Sequence, residues 1–529
     1  MKKYISVILL TLTIAGSSCK KDFLSLEKNP NTPSAASPDL ILAGALKMSA
    51  QFPNSTKYTM YAGWIGYLSW STGYQANTAL EQYVITSGTY DVWSDYYINI
   101  ANYQALIATN SGPNYTAIAK IMEAYNYEAL VDNYNNVPYS KAEQGTGDFT
   151  PAYDKGSDIY IDLMKQLDAA IVLIQGAQGS ATALIPTKAA DIVYGGNMGN
   201  WLKFANTLKL KLAIRQSNLN GGLGNAAAIT AVKATQALGY IDATNGAVAN
   251  PGYFNSDANG GQQTPMVIAY GLTASGGSSG NNATYQANAY GAHFYGKNND
   301  PRLAQIYSAT STANAANATS LANASVDSVT YNSSWVVVSS PFGSNSPPQG
   351  LVPPATKVAN MGPSKFGPGV LKTPGAGANL LSSAEALFLQ AEGVVRGYLP
   401  TGNAAALYNA GIVASFTDDL VTNPATAAAT YAARPAIAYP TGGTLQAQIK
   451  AIIVQKWAAL NLYGAFEAFN EYRRTGYPDD IPLSIYSGAN APNQITRIPY
   501  PFIEYSTNAA NVAAEGTIDI FKSKIFWAK

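Results

Sequence analysis

The residues that carry most enzyme chemistry are scarce in this chain. It has one His, His293, among 529 residues. A lone imidazole leaves little room for Ser-His-Asp hydrolysis, His-rich zinc sites or acid–base work near neutral pH. Gly276-Gly277-Ser278-Ser279-Gly280 matches the Gly-x-Ser-x-Gly pattern of a nucleophile elbow. That motif needs a sharp strand-to-helix turn, and here it sits inside a Gly/Ser run, so it reads as turn sequence. Ser25-Leu26-Glu27-Lys28 matches a Ser-x-x-Lys pattern but falls in a Pro-rich leader segment. Asn255-Ser256-Asp257-Ala258-Asn259-Gly260 resembles the start of a calcium loop, with Met266 at the twelfth position where a bidentate Glu belongs. No metal or other cofactor is expected. Paired carboxylates for glycoside hydrolysis need no sequence spacing, and no pair stands out.

Aromatic residues are the stronger signal. Tyr61, Trp64, Tyr67, Trp70 and Tyr74 fall within fourteen residues interleaved with Gly and Ser. Tyr285, Asn288, Tyr290 and Tyr295 form a second set, and Tyr331 with Trp335 a third. Sugars offer C–H faces that stack on rings, while their hydroxyls seek Asn, Gln and Asp. Trp64 and Tyr67, at i and i+3, fit equally well as the buried face of a helix. Trp70, Tyr74, Tyr290 and Trp335 lie in loop-like sequence and are the candidate ligand-binding rings.

Cys19 is the only Cys. It follows Lys2 and Lys3, a weakly polar to apolar run from Tyr4 to Ala15, and the small residues Ala15 to Ser18. About a dozen such residues suit a signal peptide, whereas a span needs about 20. Residues 1–18 therefore read as a lipoprotein signal peptide and Cys19 as the lipid attachment site, with two or more acyl chains for stable anchoring in outer-membrane lipid. Without Lys2 and Lys3, 30 of the 32 Lys and Arg remain against 31 Asp and Glu. A net charge near −1 argues against nucleic acid as a partner. Only 12% of residues are charged while 36 are Tyr, which suits neutral polar ligands.

These residues must be held by elements that the pattern outlines. Residues 19–37, with Pro30 and Pro33, read as a tether. A single domain is expected over 38–529, with a helical scaffold at 38–220 and 380–475. Apolar residues at helical spacing predict helices at Trp93–Ile107, 117–134 and 197–217, the last carrying Trp201, Ala205, Leu208 and Leu212 on one stripe. A further helix is expected after a Ser157 cap, burying Ile161, Met164, Leu167, Ile171 and Ile174. Others are expected at 383–398, 404–416 and 445–466. Residues 221–379, rich in Gly, Ser, Asn and Pro, are expected to form a loop-rich ligand lobe with short strands and small helices. Residues 476–529 are expected to be irregular. The fold class is mainly α, a tetratricopeptide-like α-solenoid carrying that lobe.

The chain resembles the SusD/RagB-like surface lipoproteins, in the branch called SusD-like type 2. The resemblance rests on Cys19-Lys-Lys-Asp22-Phe23-Leu24, Asn29-Pro30-Asn31, Pro38-Asp39-Leu40, and Ala129 to Asp132 leading to Val137-Pro138-Tyr139. It continues through Trp201 to Lys209, Asp300-Pro301-Arg302-Leu303, Ala384 to Glu392, Arg497-Ile498-Pro499-Tyr500-Pro501 and Phe526-Trp527. Asn135-Asn136 stands where many members carry a Gly-Asp pair. The resemblance implies a non-enzymatic, cell-surface outer-membrane lipoprotein. Such a protein binds an oligosaccharide or polysaccharide and delivers it to a SusC-like TonB-dependent transporter. A surface glycoside hydrolase and a peptide-binding partner of such a transporter are the alternatives.

Overall fold

The computed structural model describes residues 36–70, 77–89, 91–308, 365–481, 483 and 493–529. Ser37 caps α1 (Pro38–Gln51) by accepting from the Leu40 amide, with Pro38 at the first helical position where its missing N–H costs nothing. Next come α2 (Thr59–Trp64) and β1 (Leu68–Trp70), then α3 (Trp93–Ala108) and α4 (Pro113–Tyr134). They are followed by α5 (Gly156–Ala177), α6 (Met198–Arg215) and α7 (Ala226–Thr235). Each of α4 to α7 packs on the one before it, and α1 packs on α3.

The second half of the scaffold comprises α11 (Ser383–Val395), α12 (Ala404–Asp418), α13 (Pro424–Ala432), α14 (Leu445–Ala459) and α15 (Ala465–Thr475). Direct packing of α6 on α11 joins the halves across residues 216–382. The part of that insertion after α7 is the lobe. It holds β2 (Ala247–Ala249), α8 (Pro265–Tyr270), α9 (Gly280–Thr284), β3 (Tyr285–Ala287), α10 (Ala289–Lys297) and β4 (Ala378–Leu381) among long connections. Two antiparallel ribbons stitch it down: β1 with β3, pairing Leu68 with Ala287 and Trp70 with Tyr285, and β2 with β4.

Several expectations shift. The α6 stripe of Trp201, Ala205, Leu208 and Leu212 is buried throughout. On α5, however, Ile161 points outward while Tyr160 and Leu163 fill the core. That helix begins at Gly156 with Lys155 as its cap, not at Ser157. A Cβ at Gly156 would lie 2.3 Å from the Asn135 carbonyl oxygen, so only Gly permits this close entry. The stretch 445–466 is two helices, broken after Ala459, where Leu462 takes a left-handed φ of 67°. Asn461 in the break donates to the hydroxyls of Tyr295 and Tyr307. The C-terminal segment contains α16 (Phe502–Thr507) and α17 (Ala509–Ala514) and ends in the core, where the fully buried Trp527 donates its indole N–H to Asp132 Oδ1 at 2.8 Å.

A band of buried charge ties five helices together. Lys211 and Arg215 of α6 face Glu128 and Asp132 of α4, Glu385 of α11, and Glu467 and Glu471 of α15. Lys456 of α14 reaches Glu467 at 2.7 Å, and Arg474 clasps Glu392 at 2.7 Å. On α4, α6 and α15 two of these charges stand four residues apart, so each of those helices presents both on one face. A chain with few charges places many of them here, where mutual pairing offsets part of the desolvation cost.

Candidate functional site

The lobe face begins at the β1–β3 ribbon. Leu68 and Ser69 of β1 are buried, and Trp70 at its end is half-buried, directly across from the half-buried Tyr285. Their rings meet edge to face with centroids 5.0 Å apart. From Tyr285 an aromatic row runs to Tyr270 at 6.0 Å, Phe366 at 5.5 Å and Tyr307 at 6.4 Å. The base is rigid. Thr59 and Tyr270 share a hydrogen bond of 2.7 Å, the Gln286 amide donates to the Trp70 carbonyl, and the Asn288 amide donates to that of Leu68.

Lys365 locks the turn before β3. Its ammonium donates to the carbonyls of Asn282, Ala283 and Tyr285, and burial pulls its pKa below the usual lysine range. Burial likewise pushes the Tyr285 hydroxyl up to about 12, so it acts as a neutral donor or acceptor. The backbones of Ser308 and Lys365 are hydrogen-bonded at 2.8 Å beside the Tyr307–Phe366 bridge. This arrangement presents the half-buried Trp70–Tyr285 pair on a buried aromatic row, suited to holding a ligand by stacking.

Of the rings chosen from sequence, Trp70 lies on this face. Tyr74 and Trp335 fall outside the described residues, as does Cys19. Tyr290 is a correction. It is 6% exposed, its ring packs 5.5 Å from Trp457, and its hydroxyl donates to Asp480 at 2.5 Å. Asn288 caps α10 by accepting from the Tyr290 amide, which turns what reads as a loop into a helix and drives the ring inward. Tyr61, Trp64 and Tyr67 are buried core as well. Phe254, 53% exposed within Pro251-Gly252-Tyr253-Phe254-Asn255, is a lobe ring that sequence reasoning passed over. Its Gly- and Pro-rich setting is the same signal that singled out Trp70.

The remaining motifs resolve as turns. Ser278 forms a bridge with Leu272, and Ser279 caps α9, so neither serine stands on a nucleophile elbow. The Asp257 carboxylate accepts from the backbone amides of Ala274 and Ser275, and Met266 lies buried in α8. Among the described residues no group of three or more His, Cys, Asp or Glu is placed to hold a metal ion. No helix of the described residues is long and apolar enough to cross a membrane.

A packed-helix scaffold presenting a loop-built aromatic face defines a ligand-binding protein. The chain belongs to the SusD-like type 2 family, described as starch-binding and associating with the outer membrane, whose model matches residues 30–501. Members of this family are nutrient-binding proteins, not enzymes. A SusD homologue from Bacteroides fragilis has a similar structure, with a TM-score of 0.71 at 22% identity over 94% of this chain and 100% of that one. A chitin-binding SusD homologue from Flavobacterium johnsoniae gives 0.69 at 22% identity over 92% and 98%. A SusD homologue from Bacteroides uniformis gives 0.68 at 22% identity over 92% and 99%. No protein of curated function matches the sequence significantly.

Proposed function

We propose that this protein is a cell-surface lipoprotein, anchored in the outer membrane through Cys19. In this reading its lobe captures an oligosaccharide or polysaccharide and passes it to a SusC-like TonB-dependent transporter. The observation that carries the reading is the half-buried Trp70–Tyr285 pair on a rigid ribbon at the root of the lobe. Rings held at fixed angles bury a sugar's C–H face with little entropy loss. The family's description as starch-binding and the chitin-binding relative both support a glycan as ligand. Tyr74 and Trp335 stay with Trp70 as proposed contacts on sequence grounds, and Tyr290 does not.

Isothermal titration against starch- and chitin-derived oligosaccharides and a set of oligopeptides tests this. A glycan is expected to bind, and Trp70→Ala is expected to weaken it by about 1–3 kcal/mol, the scale of one stacked ring. Binding of peptides alone, or unchanged glycan affinity in that variant, would sink the assignment. Co-purification of the tagged protein with a TonB-dependent barrel from its native membrane tests the partner.

A further inference from the structure

On the scaffold, away from the β1–β3 ribbon, α3, α4 and α5 enclose a groove of about 450 Å³. Its volume lies in the range that suits small-molecule sites, roughly 300–1,000 Å³. Its floor is apolar, with Ile107, Ala124 and Leu163, and two tyrosines form a wall, their rings edge to face with centroids 4.7 Å apart. Tyr139 donates to Asp162 at 2.6 Å and is thereby fixed. Tyr127 is 3% exposed, lines the groove, and has no hydrogen-bond partner for its hydroxyl among the described residues. Glu123, one turn earlier on α4, also lines the groove, and its Oε1 likewise has no hydrogen-bond partner.

Charge in the groove is unbalanced. Glu123 and Asp162 line it, and the carboxylates of Glu143 and Asp154, from the connection between α4 and α5, act on Tyr127. Among the described residues Lys120 of α4 is the only basic one lining the groove, and its ammonium donates to Gln166 Oε1 at 2.7 Å. α3 contributes Gln104 and no charge. Burial pushes the Glu123 carboxyl up to about 7, outweighing the pull of Lys120, and burial raises that of Glu143 too. Neutral hydroxyls would find donors and acceptors here yet leave the acidic excess uncompensated. A cation would offset it, and would also gain from the tyrosine rings.

We propose that this groove is a second ligand site, separate from the lobe, and that it takes the protonated primary amine of a sugar-sized polar molecule. The ammonium group sits between Glu123 and the Tyr127 hydroxyl oxygen, and the ligand's body lies on Tyr139 and the apolar floor. The site stands whether or not the lobe binds a glycan.

The test compares 6-amino-6-deoxyglucose with glucose, a pair that differs in the ammonium group alone. Calorimetric titration of the full chain at pH 8 should show the amino sugar binding at least about tenfold tighter than glucose. A cation favours the ionised carboxylate. Affinity should therefore rise as pH goes from 6 to 8 through the Glu123 pKa, while a primary alkylamine stays protonated. Glu123→Gln should lower affinity about tenfold, and Tyr127→Phe several-fold. Tyr127→Phe removes one oxygen from an otherwise intact ring, so it remains informative if Glu123→Gln proves unstable. Equal binding of both sugars, no binding of the amino sugar, or full affinity in both folded groove variants would each overturn the proposal.

Discussion

At Tyr290 the ring packs against Trp457 and the hydroxyl donates to Asp480, so its loss opens a void beside the first turn of α10. Tyr290→Ala is expected to cost about 3–5 kcal/mol of stability, the usual range for a large buried ring. Urea denaturation with the midpoint and slope fitted separately measures it. A cost under about 1 kcal/mol would mean that the ring is not core. Trp70 should behave the other way round, losing affinity and little stability. The contrast was partly legible. Asn288 stands two residues before Tyr290 as a helix cap would, and a cap followed by Tyr290, Phe294 and Tyr295 is a helical core pattern. The surrounding Gly, Ser and Asn masked it. At Trp70, by contrast, the ring ends a strand and stays half-buried among the described residues.

Between elements, the decisive feature is the charge band that links α4, α6, α11, α14 and α15. Glu392 lies between Arg474 and Arg396, bonded to both. Burial alone would raise its pKa, but the two guanidinium groups outweigh this and hold it down to about 2. A depressed folded-state pKa contributes stability above the ordinary carboxylate value of 4.5, and that stability is lost as pH falls toward 2. The contribution is roughly 3 kcal/mol. Glu128 runs oppositely: burial pushes it up to about 7, so its share is present in acid and lost as pH rises through 7. Comparing wild type with Glu392→Gln cancels that second effect. The stability gap should be largest at pH 7 and close progressively between pH 4.5 and pH 2. A gap independent of pH would contradict the assignment. The i, i+4 spacings Glu128/Asp132, Lys211/Arg215 and Glu467/Glu471 are visible in the sequence. Which helix faces which is not, and a charge pair on one face reads as a solvated surface until its partners are known.

For the whole molecule, attachment and capture are separable. If Cys19 carries the acyl chains, Cys19→Ala should shift the protein to the soluble fraction, because those chains supply the membrane hold. Fractionation of cells lacking the partner transporter checks this, and a variant still in the outer membrane would refute the anchor. Capture at the lobe should depend weakly on salt, since stacking and neutral hydrogen bonds are not screened. The α3–α5 groove should respond strongly to salt, because its proposed ligand is a cation facing carboxylates.

Local pattern was sufficient for most of the scaffold helices and for the class of fold. The 3.6-residue stripe on α6, the caps at Ser37 and Asn197, and the Gly/Ser/Asn texture of 221–379 depend on residues close in sequence. The ordered motifs from Asn29 to Pro501 were sufficient for the family, whose model spans 30–501. Burial was decided elsewhere. Tyr290 became core because Trp457 reaches it from α14, and Trp527 because Asp132 and Arg215 await it on α4 and α6. The lobe face exists because β3 pairs with β1 across more than two hundred residues. Exposure depends on what arrives from distant parts of the chain, and a local window of sequence holds no record of those partners.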